Sequence, residues 1–160
     1  MKRELDDLVG DEEAEIAEKL IAAAMDAAAK AVEGEIKAYK TVWAGKSDDD
    51  RKKLAAQATA WARRQVGHRV ECPACECNAL VMGEPIAAPK KTIDEDEITE
   101  VQQYLPSKFE CVACGLKIDG LSKLSVAGLG DAYKKTSTYD AAEYYAPEDG
   151  LPDYEPDYND

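Results

Sequence analysis

The sequence predicts an α+β protein: an N-terminal α-helical hairpin, a small antiparallel β region, a short C-terminal helix and an acidic tail. Three observations carry this. Apolar residues recur at steps of three and four through 11–44. Gly67 and His68 end the helical pattern, and short β-like runs begin at Val70. Two Cys-x-x-Cys pairs fall inside that β part. The chain has 160 residues, enough for one ordinary domain or two very small ones. Its hydrophobic fraction of 45% is inflated by alanine, and it has one Phe and two Trp. Such a composition makes a thin core, and small domains with thin cores need a metal, disulfides or a partner.

The first helix is expected over 11–44. Ile21, Met25, Ala28, Val32, Ile36, Tyr39 and Trp43 draw one apolar stripe, and Asp11, Glu12, Glu13 and Glu15 crowd the first turn, where the helix dipole favours anions. The first half of the stripe is small and Ala-rich, which suits close approach of another helix. Gly45 is a stop signal. Ser47 can cap a second helix, with Asp48, Asp49 and Asp50 in its first turn, running to about Arg64 with Leu54, Ala58, Trp61 and Ala62 on its apolar side. The short connection predicts that the two helices pair antiparallel.

Ala79–Val81 and Ile98–Leu105 are the best strand candidates, with Ile93–Glu97 read as a solvated acidic loop between them. Phe109–Cys111 and Leu116–Ile118 are expected as strand ends beside the second cysteine pair. Leu121, Leu124, Val126 and Leu129 suit a short helix ended by Gly128 or Gly130. The segments expected are therefore 1–66 helical, 67–120 β with the cysteines, 121–146 short helical or irregular, and 147–160 an acidic, disordered tail.

The motif that carries chemistry is Cys72-Pro73-Ala74-Cys75 and, after a gap of 35 residues, Cys111-Val112-Ala113-Cys114. Two residues between cysteines put both sulfurs on one side of a tight knuckle turn, where backbone amides can stabilise thiolates. Two facing knuckles make a tetrahedral S₄ site, which zinc accepts readily. Pro73 pre-sets the first knuckle, and Gly115 allows positive φ after the second. The metal ligands expected are Cys72, Cys75, Cys111 and Cys114, with one structural zinc ion. Iron in the same S₄ set is an alternative. Dithiol redox chemistry would need a βαβ setting, which the pattern lacks.

Val70-Glu71-Cys72-Pro73-Ala74-Cys75 and Phe109-Glu110-Cys111-Val112-Ala113-Cys114-Gly115-Leu116 resemble the zinc-ribbon fold group. The resemblance covers about 68–120 and implies two knuckles at the ends of a small antiparallel sheet. It is specific for metal and fold but not for activity. One departure stands out: Glu76 replaces the usual Gly after the first knuckle and Cys77 follows, which leaves the choice between Cys75 and Cys77 open. His68, the only histidine, is expected to be a spectator or a donor to the ligands, because four cysteines already fill the site.

The formal net charge is −13, with −1 over residues 1–70 and −12 over 71–160. That field repels nucleic acid and attracts basic partners. The stretch 51–70, with Arg51, Lys52, Lys53, Arg63, Arg64 and Arg69, contains no acid and is the one candidate phosphate-binding face. Tyr144, Tyr145, Tyr154 and Tyr158 sit among acids and prolines, as a docking motif or a solubilising tail would. No glycine-rich phosphate loop is present, and no carboxylate pair has a setting for acid/base work. No apolar export segment follows Met1–Gly10 and no run is long enough to span a bilayer, so a cytoplasmic location is expected. The expected function is a non-catalytic, zinc-stabilised protein-interaction or assembly module, with self-association through the N-terminal helices as one mode. The alternatives are a nucleic-acid-binding accessory factor using 51–70 and a rubredoxin-like iron electron carrier.

Overall fold

The computed structural model describes residues 2–145, with side chains described from residue 10. The acidic tail expected at 147–160 lies outside the described residues. The fold is α+β. Helix α1 (Lys2–Ala44) and helix α2 (Asp48–Arg64) come first. Strands β1 (His68–Glu71), β2 (Asn78–Pro85), β3 (Lys90–Asp94), β4 (Glu97–Glu110) and β5 (Lys117–Asp119) follow, and then helix α3 (Leu121–Val126), strand β6 (Tyr133–Asp140) and helix α4 (Ala141–Tyr144). The strands are hydrogen-bonded in the order β1-β2-β4-β3, and β5 and β6 also pair with β4. Two compact units divide the described chain: 2–84 with 105–133, and 85–104 with 134–145.

In the first unit, α2 forms as its sequence signals require. The Ser47 hydroxyl accepts the Asp50 amide at 3.2 Å, three acids occupy the first turn, and Arg63 and Arg64 close the last. Its apolar side buries Ala58 and Ala62, and Asn78 at the start of β2 donates to the Thr59 hydroxyl at 2.8 Å. This side chain contact ties α2 to the sheet.

Helix α1 is 43 residues long, about 65 Å at 1.5 Å per residue, and begins earlier than the acid-rich first turn suggested. Only the second half of its stripe is covered. Val32 is buried and Ala28, Ile36, Tyr39 and Trp43 are half-buried, whereas Ile21 and Met25 are exposed. The expected pairing of α1 along α2 is not the dominant helix packing: the helix that α1 packs on is α3. On the apolar side of α2, Ala58 and Ala62 are buried, and Thr59 beside them is bonded to β2.

Leu124 anchors α3 in the core, and the Leu129 amide returns to the Leu124 carbonyl at 2.8 Å, with Gly128 at φ 74°. That places the helix end at the first of the two glycines expected to stop it. Phe109, Leu80, Leu116, Leu124, Val81 and Pro106 are the largest fully buried side chains of this unit, together with Cys72 and Cys111. Gly83 on β2 permits a close strand approach, because a Cβ there would lie 2.3 Å from the Leu105 carbonyl oxygen.

In the second unit, β3 and the first part of β4 form a hairpin with register Ile93↔Ile98 and Asp94↔Glu97, turning at Glu95 and Asp96. The loop expected at Ile93–Glu97 is thus shorter: Ile93, Asp94 and Glu97 are strand residues. Every residue of β3 is exposed, so Asp94 stays solvated without leaving the ladder. The segment 121–146 is also more regular than expected, containing β6 and α4 as well as α3. Asp140 caps α4 by accepting the Ala142 amide at 2.8 Å.

Two substitutions test these elements. Gly83→Ala forces β2 and β4 apart and lowers stability by about 1–3 kcal/mol, measured as a shift in the urea midpoint. Ser47→Ala removes the α2 cap and costs about 1 kcal/mol in the same assay.

Candidate metal centre

The two cysteine pairs sit at the turns of two antiparallel hairpins in the first unit. One hairpin joins β1 to β2, closing on the pair Glu71↔Asn78. The other joins β4 to β5, closing on Glu110↔Lys117, where Lys117 Nζ reaches Glu110 Oε1 at 3.2 Å. Between the strands, both turns have the same bonding. The Cys72 amide donates to the Cys77 carbonyl and the Glu76 amide to the Cys72 carbonyl, each at 2.9 Å. Likewise the Cys111 amide donates to the Leu116 carbonyl and the Gly115 amide to the Cys111 carbonyl, each at 2.9 Å. Residues 72–77 and 111–116 are therefore one turn used twice.

This equivalence answers the question raised by Glu76 and Cys77. Glu76 occupies the position of Gly115, and both have positive φ, 60° and 86°. Cys77 occupies the position of Leu116, and both are buried. Its thiol bonds the Cys75 carbonyl at 3.5 Å. Cys77 thus fills an apolar position in the core, and Cys75 is the residue that points at the other knuckle.

The sulfurs of Cys72, Cys75, Cys111 and Cys114 all lie within 4.8 Å of one another. Cys72 Sγ is 3.6 Å from Cys114 Sγ, and Cys75 Sγ is 3.5 Å from Cys111 Sγ. These are not disulfides, which require about 2.05 Å, and all five cysteines are free. A tetrahedral ion with metal–sulfur bonds of about 2.3 Å spaces its sulfurs about 3.8 Å apart. The observed separations are close to that. Four sulfurs so placed can hold one metal ion, and the arrangement is compatible with the zinc-ribbon-like group.

The chain matches no family model, no curated protein and no solved structure. The case for the centre therefore rests on its geometry and chemistry.

Backbone amides face the sulfurs. The Ala74 amide lies 3.4 Å from Cys72 Sγ. Amides of Cys77, Cys114 and Leu116 favour the thiolates of Cys75, Cys111 and Cys114 in turn. Without an ion the cluster must share protons. The S–H groups of Cys114 and Cys72 donate to Cys111 and hold it far below the ordinary thiol range. Cys114 and Cys72 are raised because each keeps its proton for that bond, and burial pushes Cys75 and Cys77 up. A metal ion replaces those protons, so uptake releases protons and weakens as the pH falls.

Other residues singled out in the sequence are elsewhere. His68 is exposed on β1 and stacks on Tyr133 with ring centroids 5.0 Å apart, outside the cysteine cluster. Arg51 pairs with Asp48 on α2. Tyr144 accepts a hydrogen bond from Lys91 and lies against Tyr139 and Tyr145. Tyr154 and Tyr158 lie outside the described residues. Among the described residues the four cysteines are the single cluster of metal-ligating type, and no helix is long and apolar enough to cross a membrane. The equivalence of 72–77 and 111–116 was the signal missed in the sequence: an Ala precedes the second cysteine of each pair, and an apolar residue follows two places later.

Positive φ at Glu76 gives a test. A non-glycine residue there costs about 1 kcal/mol or more. Glu76→Gly is expected to raise stability by about 0.5–1 kcal/mol, and Gly115→Ala to lower it by about 1–2 kcal/mol, in urea melts of the metal-loaded protein.

Proposed function

We propose that the chain is a non-catalytic, metal-stapled protein-interaction module, in which Cys72, Cys75, Cys111 and Cys114 bind one structural zinc ion. The observation that carries this is the closed all-sulfur set. Four protein sulfurs fill every position of a tetrahedral ion and leave none for a substrate or water, the hallmark of a structural rather than a catalytic site. The thin core supplies the reason for a staple, since Phe109 is the only phenylalanine and Cys72 and Cys111 are themselves among the largest fully buried residues.

A protein partner is favoured over nucleic acid. Within 51–70, Arg51 is paired with Asp48, and Arg63 and Arg64 complement the C-terminal end of the α2 dipole. The net charge of −13 opposes the approach of a polyanion. A second reading, iron in a rubredoxin-like electron carrier, is supported by the amide–sulfur contacts, which also suit a ferric S₄ site. Colour discriminates the two: zinc is colourless and ferric iron in four sulfurs is red.

The decisive experiment is chelation followed by circular dichroism and limited proteolysis. Structural zinc binding contributes about 10–16 kcal/mol in small peptides, more than the net stability of an ordinary domain. Removal is expected to unfold the β hairpins and expose them to protease while helical signal persists. Cys111→Ser is expected to lose bound metal and to behave like the chelated protein. An unchanged β signal after complete metal removal would sink the proposal.

A further inference from the structure

We propose that the partner of α1 is a second copy of the chain, docked antiparallel along the exposed apolar face at Ile16–Met25. This rests on the reading of the chain as an assembly module and names the occupant of its surface.

Four large apolar residues fall within ten positions of α1 and are open to solvent: Ile16 at 57%, Leu20 at 67%, Ile21 at 60% and Met25 at 65% relative exposure. Ala17, Ala24 and Ala28 lie between them on the same broad face, so a second backbone can come close. The face continues into a groove of about 280 Å³ between α1 and α3, lined by Ile21, Ala24, Met25, Ala28, Ser122 and Val126. Groove and exposed residues belong to one unit of the fold. A rod of this kind does not gain its stability from propensity alone, because most helical stability in proteins comes from packing an apolar face.

The charges along α1 identify what covers it. Residues 11–18 hold Asp11, Glu12, Glu13, Glu15 and Glu18 and no base. Residues 23–30 hold Asp26 and Lys30 and carry no net charge, so they do not repel the acidic segment as a second copy of 11–18 would. A parallel, in-register pair sets the acidic segment of one copy on that of the other. An antiparallel pair sets it beside the partner's 23–30 instead, with Asp11 near the partner's Lys30, and also opposes the two helix dipoles. The four large residues are centred between Leu20 and Ile21. A two-fold axis there brings Ile16 near the partner's Met25 and Asp11 near the partner's Lys30. Such an interface is isologous, so each copy supplies the same patch. Roughly 600 Å² from each copy reaches the lower bound of about 1,200 Å² for specific interfaces.

Sedimentation equilibrium on the full metal-loaded chain tests the pairing, and carbodiimide cross-linking of a mixed ¹⁴N/¹⁵N sample tests its direction. A concentration-dependent dimer is expected. Leu20→Glu is expected to weaken it about 100-fold, because each copy then buries a charge. Leu20 is exposed in the single chain, so the variant should keep its helicity and bound metal, and both are measured alongside. Mixed-isotope links are expected between acids of 11–18 and Lys30. Residues 12 and 30 are about 27 Å apart along one helix, so a link between them must join two copies. A monomer at every soluble concentration overturns the proposal. So does a dimer that Leu20→Glu leaves intact, or one whose intermolecular links do not join 11–18 to Lys30. None of these results touches the metal staple, which chelation tests separately.

Discussion

Four thiols, three buried and that of Cys114 half-buried, brought within bonding distance of one centre are the constraint on which the first unit depends. Neutral thiols satisfy each other poorly at that spacing, and four thiolates without a cation would repel strongly in a buried setting. The two turns hold the sulfurs there through backbone hydrogen bonds, in an arrangement that could hold a metal ion. Each turn also closes a hairpin, which makes the centre the junction of β1, β2, β4 and β5. The hydrophobic contribution around it comes from a handful of residues, chiefly Phe109, Leu80 and Leu116.

The same thinness explains the shape of the helical part. A β core of this size cannot cover a 43-residue helix. It covers the half that carries Val32, Ile36, Tyr39 and Trp43, with α3 packed against α1. The remainder keeps its apolar side in water. The chain thus combines a sheet region whose four cysteines could hold a metal ion with a long helix on which Ile16, Leu20, Ile21 and Met25 are exposed.

Much of this was legible because short-range physics controls it. Ser47 with its three aspartates marks α2, Gly128 marks the end of α3, and the paired cysteines mark the centre. Each signal acts within a few residues. Strands without a buried face were not legible. β3 is exposed throughout and β6 is mostly so, and with neither face in a core there is no apolar alternation to read. The acidic run at Ile93–Glu97 therefore resembles a loop, although only Glu95 and Asp96 form the turn.

By itself the amino-acid sequence indicated α1, α2 and α3, four cysteines spaced to hold a metal ion, and the α+β class, because capping, periodicity and cysteine spacing are local properties. The tertiary structure decided which surfaces those elements use. It placed Cys77 in the core at the position equivalent to Leu116, set Gly83 against the Leu105 backbone, and gave α1 to α3 rather than to α2. These choices depend on residues far apart in sequence competing for the same small core. An apolar stripe states that a face must be buried, and only the packed chain determines how much of it is.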